Sequence, residues 1–169
     1  MKRFTTIFII ATFLIATFNS CLEIDDTTVP SRGEEQINLK KYLDNIISRG
    51  NDVDTTELGV YYVTMEAGTG AYPKTGDTLT VGYAGYLING SLFDASYWHN
   101  QTDSTYTFVL GNPPLIQGWD DGMKVVNKNA RVQMIIPSDF AYGSAGSGFI
   151  QPFQTLIFVI VMKDIKPSN

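Results

Sequence analysis

From Glu57 onward in this 169-residue chain, the apolar side chains recur at every second position, and the rhythm turns helical only once. A period of two places alternate side chains on opposite faces of a strand. Val60 with Tyr62, then Leu79, Val81, Tyr83 and Leu87, then Tyr106, Phe108 and Leu110, then Val132, Met134 and Ile136 each mark such a face. Gly68-Thr69-Gly70 and Pro73-Lys74-Thr75-Gly76 supply turns. Residues 155–162 are apolar on both faces apart from Thr155, which predicts a strand in the middle of the sheet. In the one interruption, Leu115, Ile116, Trp119, Met123 and Val126 share a helical face behind Pro113-Pro114. A single short helix against a curled antiparallel sheet is an α+β solution.

The N-terminal third reads differently. Lys2 and Arg3 precede an uncharged apolar run from Phe4 to Phe18, shorter than the ~20 residues that span a bilayer. The run ends at Asn19 and Ser20, and residues 1–20 read as a secretory signal peptide, with a transmembrane anchor as the alternative. The single cysteine, Cys21, excludes a disulfide within the chain. Ser20-Cys21 resembles the end of a bacterial lipoprotein signal, with Phe18 where a small aliphatic residue is usual; a chance free cysteine is the other reading. Acyl chains on Cys21 would hold the protein on a membrane, at ~0.8 kcal/mol per buried methylene. Residues 21–33 then form a polar tether, in which Glu23, Asp25 and Asp26 are a solvated linker or a sorting signal. Ser31 and Glu34 have the spacing of a capping box, and Leu39, Tyr42, Leu43, Ile46 and Ile47 recur at helical spacing up to Gly50. A helix and link over 34–56 follow, with an apolar face to be covered by its own domain, a second copy or a partner.

Removing residues 1–20 takes away two of the 12 basic side chains and no acid, leaving 10 against 17 and a net charge of −7. Such a surface offers no basic stripe for phosphate, which argues against nucleic acid as a partner. One histidine, His99, cannot supply a multi-histidine metal site, and no nucleophile elbow accompanies it; it is expected to be an exposed loop residue in 96–104. Asp120-Asp121 point ~100° apart on a helix, which suits a helix start rather than paired acid catalysis. Gly143-Ser144-Ala145-Gly146-Ser147-Gly148 lacks the Gly-Lys-Ser/Thr and the following helix of a phosphate loop, and reads as a flexible loop beside a binding site.

What remains is a set of aromatic stretches: Val81-Gly82-Tyr83-Ala84-Gly85, Leu92-Phe93-Asp94, Leu115-Ile116-Gln117-Gly118-Trp119, Ser138-Asp139-Phe140-Ala141-Tyr142-Gly143 and Thr155-Leu156-Ile157-Phe158-Val159-Ile160. They contain no nucleophile–base pair and no metal-ligand cluster, an inventory suited to a pocket that works by shape and desolvation. In this order they resemble the FKBP-type peptidyl-prolyl isomerases, from about Thr56 to Lys166. The resemblance implies a half-barrel sheet wrapped around the short helix, with the isomerase domain at 57–166. It implies Trp119 as pocket floor, Tyr83, Phe93, Tyr106 and Phe158 as walls, and Leu115 and Ile116 at the rim, the Ile116 N–H bonding a substrate carbonyl. Asp94 would be the polar group near the amide and Tyr142 a hydroxyl donor, so that Trp119, Asp94 and Tyr142 carry catalysis; Phe149 and Ile150 would overhang the site. No cofactor and no metal is implied.

This chain departs from that pattern in several places. Between Ala95 and Thr105 no arginine follows the aspartate, and only His99 could replace it, in a segment about three residues longer than usual. Tyr106 stands where phenylalanine is common, the 143–148 loop is about one residue short, and Gln151 replaces one proline of a pair that Pro152 completes.

The resemblance implies cis–trans isomerisation of Xaa-Pro bonds by binding the twisted amide, its carbonyl turned toward Asp94 and bonded by Tyr142. Three readings follow. The first is a lipid-anchored isomerase of the bacterial envelope, on the outer membrane and facing the periplasm or the cell surface, acting on unfolded or exported proline-containing polypeptides. The second is a non-catalytic peptide- or partner-binding lipoprotein on the same scaffold. The third is a structural spacer, docked or self-associated through helix 34–48.

Overall fold

The computed structural model describes residues 29–168. The expected signal peptide, the expected lipidation at Cys21 and most of the expected tether lie outside them. In chain order the elements are helix α1 (Arg32–Ser48), strands β1 (Asp54–Thr55), β2 (Tyr61–Glu66), β3 (Thr78–Leu87) and β4 (Leu92–Ala95), a one-turn helix α2 (Ser96–His99), β5 (Tyr106–Val109), helix α3 (Gln117–Met123), β6 (Arg131–Ile136), a 3₁₀ turn Ser138–Phe140 and β7 (Leu156–Lys166).

The strands form one antiparallel sheet in the order β1-β2-β6-β7-β3-β4, and β5 follows β4 along the outer edge of β3. The doubly apolar strand is therefore central: β7 pairs with β6 on one side and along all of β3 on the other. Its even-numbered side chains Leu156, Phe158, Ile160 and Met162 fill the concave core with Leu79, Val81, Val132, Met134 and Ile136. Helix α3 packs into that concavity through Trp119 and Met123. This is the curled sheet around a short helix that the pattern of periods requires.

The opposite face of the sheet is also apolar, because α1 covers it. Leu39, Tyr42, Leu43 and Ile46 pack on Val63, Ile135, Ile157, Tyr61 and Tyr86. Of the occupants open to the helix face, its own domain takes Leu39, Tyr42, Leu43 and Ile46, while Ile47 of the expected stripe stays exposed.

Several boundaries differ from the sequence reading. The tether was expected to reach residue 33, but α1 begins at Arg32 because Ser31 caps it. The Ser31 hydroxyl accepts the Glu34 N–H at 3.3 Å, and the Glu34 carboxylate accepts the Ser31 N–H at 2.7 Å. The link to residue 56 contains β1, which extends the sheet by pairing with β2. The helix expected over 115–126 is regular only from Gln117 to Met123. Finally α2, within the segment read as loop, is a second helical turn among the strands.

Candidate functional site

Four strands, two helices and two loops converge on a concave pocket of about 170 Å³ lined by Tyr83, Phe93, Asp94, His99, Tyr106, Leu115, Ile116, Trp119, Tyr142 and Phe158. The volume is below the ~300 Å³ at which drug-sized sites begin, and suits one apolar side chain and its amide.

The floor is set by two glycines. At Gly118 a Cβ would lie 2.2 Å from Ile136 Cγ2, and at Gly122 2.3 Å from Met134 Sδ. Without side chains there, α3 lies directly on β6 and holds Trp119 deep in the pocket, 4% exposed. The Trp119 Nε1 has no hydrogen-bond partner among the described residues, so within the protein the ring offers shape and π-surface. Phe158 from β7 and Tyr83 from β3 meet it edge-to-face, with centroids 4.9 and 5.2 Å away. Phe93 meets Phe158 at 5.4 Å, and Tyr106 meets Tyr83 at 6.0 Å. Such contacts add ~0.5–1.5 kcal/mol each beyond burial and fix ring orientation. Gly85 makes room for the wall: a Cβ there would stand 2.8 Å from Phe158 and 2.9 Å from Phe93.

Asp94 is the polar group in this apolar bowl. Its Oδ2 accepts the Tyr83 hydroxyl at 2.8 Å; its Oδ1 accepts the Ala95 N–H at 2.8 Å and lies 3.2 Å from His99 Nε2. Burial, reinforced by the hydrogen bond to and charge of Asp94, raises the Tyr83 phenol far above the ordinary tyrosine range, so it stays a donor. Tyr142 is raised the same way, by burial and then by Asp94. At the rim, the Asp120 carboxylate accepts the Leu115 N–H at 3.2 Å, and burial raises its pKa. Neighbouring Asp121 belongs to the scaffold, accepting from Leu58 N–H and Lys124 Nζ.

His99 corrects the sequence reading. It is exposed, as expected, but it ends α2 rather than lying in a loop, and its ring reaches Asp94 and stands 5.2 Å from Tyr106. In a segment without an arginine, it is the side chain that reaches Asp94. The longer 96–104 segment makes this geometrically feasible: one helical turn fits there, held by the Ser96 hydroxyl, which donates to the Ser104 carbonyl at 2.6 Å.

Nine of the eleven residues expected to act at the site lie in the pocket. The other two, Phe149 and Ile150, do not line it: Phe149 is 73% exposed and Ile150 is buried in the core. The 143–148 loop, read as flexible, is drawn into turns by backbone bonds from Gly146 N–H to Tyr142 O, Ser147 N–H to Ile150 O and Phe153 N–H to Gly143 O. Ile150 serves as the apolar anchor of that loop. No group of three metal-capable side chains gathers among the described residues, and no helix there is long and apolar enough to cross a membrane.

Residues 70–163 match the family described as FKBP-type peptidyl-prolyl cis-trans isomerase. The chain is 40% identical over 116 residues to the isomerase FkpA of Escherichia coli K12, covering 69% of this chain and 41% of that protein. It is 36% identical over 111 residues to the isomerase Fkbp12 of Drosophila melanogaster, covering 64% of this chain and 100% of that one. The crystal structure of FkpA from Escherichia coli superposes with a TM-score of 0.66 at 34% identity, over 81% of this chain and 63% of that one. The chain thus spans about two-fifths of the bacterial relative it matches over 116 residues.

Proposed function

Because the chain belongs to the FKBP-type peptidyl-prolyl cis-trans isomerase family, we propose that it isomerises Xaa-Pro peptide bonds, with the proline ring seated over Trp119. The observation that carries this reading is the edge-to-face aromatic bowl closed by a single, fully engaged carboxylate.

Rotation about a peptide bond faces a barrier of ~18–20 kcal/mol, because twisting breaks amide resonance. For Xaa-Pro both isomers are populated, and their exchange takes tens to hundreds of seconds. The planar amide places more negative charge on its oxygen than the twisted one. A dry apolar pocket therefore destabilises the planar form more, and the fixed charge of Asp94 adds to this. Every ~1.4 kcal/mol of that difference is tenfold in rate. Both Asp94 oxygens already accept hydrogen bonds, so its part is electrostatic and not proton transfer. The Tyr142 hydroxyl lines the same pocket as Asp94 and would donate to a substrate carbonyl, with the Ile116 N–H at the start of α3 as a second donor. The route requires no covalent intermediate.

The test follows cis-to-trans relaxation of a short peptide with a hydrophobic residue before proline, with and without the purified protein. Acceleration is expected, with kcat/KM at least tenfold lower in Trp119→Ala and in the better-packed Trp119→Leu. No acceleration by a folded protein that still binds the peptide would overturn the isomerase reading and leave a recognition domain.

The further reading is an envelope protein anchored through Cys21 and serving exported clients, supported by the Ser20-Cys21 pattern behind the apolar leader. Replacing Cys21 by Ser should release the protein from the membrane fraction; retention would count against the anchor.

A further inference from the structure

Building on the isomerase reading, we propose that Glu35 is a positioning residue for the pocket: through it, α1 clasps the base of the long β6–β7 connection and sets Tyr142 in place. Glu35 is buried on the sheet-facing side of α1, four residues before Leu39. Its Oε1 accepts the Ser138 N–H at 2.7 Å and the Thr155 hydroxyl at 2.8 Å, and its Oε2 accepts the Ser138 hydroxyl at 2.6 Å. Ser138 stands just beyond the end of β6 and Thr155 just before β7. One carboxylate thus ties both ends of the 137–155 connection, more than 100 residues away in sequence.

From Ser138 the path to the pocket is short. The Ser138 carbonyl accepts the Ala141 N–H at 2.9 Å and the Gly143 N–H at 2.8 Å, the residues on either side of Tyr142. Gly143 O in turn accepts the Phe153 N–H at 2.9 Å. A second contact from the same helical turn repeats the pattern at the surface. The Arg32 guanidinium forks onto the Asp139 carboxylate, both bonds 2.6 Å, and stands 5.6 Å from the centre of the Phe153 ring. Packing alone does not account for Glu35. A helix covering the convex face of a sheet needs only apolar residues, and a buried carboxylate is costly unless its partners satisfy it. Here every partner comes from the loop that carries Tyr142. Helix α1 lies outside residues 70–163, the stretch that matches the isomerase family.

The experiment uses the full-length protein, its Glu35→Gln and Arg32→Ala variants, and each of the three again with Tyr142→Phe. Two quantities are read: amide hydrogen exchange across residues 141–153 relative to β7, and kcat/KM with a prolyl peptide. Glu35→Gln is expected to speed loop exchange at least tenfold while β7 is unchanged. It is expected to lower kcat/KM about fivefold with Tyr142 present and less than twofold in Tyr142→Phe, because residues acting through one another are not additive. Arg32→Ala, an exposed site that leaves the core intact, is expected to shift both in the same direction by about twofold. Loop exchange that stays unchanged, exchange that rises equally in β7, or an equal loss of kcat/KM in both backgrounds overturns the proposal. If the parent protein shows no acceleration, the isomerase reading falls, and the exchange comparison alone decides the clasp.

Discussion

Replacing Gly118 by Ala sets helix propensity against packing. Gly118 is the second residue of α3, and in an exposed helix the change would gain up to ~1 kcal/mol. Here the new methyl would stand 2.2 Å from Ile136 Cγ2, about 1.2 Å short of ordinary contact, with Phe140 O at 3.1 Å and Phe140 Cβ at 3.2 Å. Ile136 is fully buried and cannot swing away, so α3 must lift from β6. Overpacking of this kind costs ~1–3 kcal/mol. Lifting α3 also disturbs the contacts of Trp119 with Phe158 and Tyr83, at ~0.5–1.5 kcal/mol each. The net expectation is a loss of roughly 2 kcal/mol, since packing outweighs propensity. With a urea slope of ~2 kcal/mol/M the midpoint falls by about 1 M. Trp119 emission should shift when read in a Trp98→Phe background, which removes the exposed second tryptophan, and kcat/KM should fall with it. Gly122→Ala, whose methyl meets the flexible Met134 side chain, is expected to cost less. A Gly118→Ala protein as stable as its parent, with unchanged emission and activity, would refute the account of the pocket floor.

Two further outcomes follow from the polar groups. Tyr83→Phe removes the 2.8 Å bond to Asp94 and leaves a partly buried acceptor short of a donor, which costs ~1–3 kcal/mol and predicts about a tenfold loss of kcat/KM. Because the Tyr83 phenol is held far above its ordinary range, that loss should be constant between pH 6 and 9. His99→Ala breaks a half-exposed pair and should cost no more than threefold; a larger loss than for Tyr83→Phe would reverse the roles assigned to them. The Asp77 carboxylate accepts the Lys74 N–H at 2.8 Å and the Ser168 N–H at 2.9 Å, and these bonds hold its pKa below the ordinary value. A depressed folded pKa gives stability that is present above the unfolded value of ~3.9 and is lost as pH falls through the folded one. Urea midpoints should therefore drop below about pH 4, and Asp77→Asn should flatten that slope; parallel slopes in the two proteins would exclude it.

The sheet was legible because burial writes its period into a strand. Period two over Leu79 to Leu87 and Val132 to Ile136, and apolarity on both faces of 155–162, sufficed to predict a curled sheet with β7 at its centre. The helix cap at Ser31 and the Trp119 helix were likewise local, each set by a few neighbouring residues. The aromatic order along the chain pointed to the pocket set, yet could not show that Ile150 turns into the core or that Phe149 stands clear of it. Tertiary structure alone decided three things. It brought His99 to Asp94, since whether the four residues Ser96–His99 curl into one helical turn depends on the Ser96–Ser104 bond that closes it. It chose the sheet as cover for α1, a face that fits any apolar partner equally well on paper. And it gave Glu35 its three donors from Ser138 and Thr155, the one charge on an apolar stripe, whose meaning was hidden because its partners lie more than 100 residues away. Hydrophobic periodicity is a local, repeated signal that survives in sequence. A buried hydrogen bond between distant elements is a single event, fixed only when the chain has closed around it.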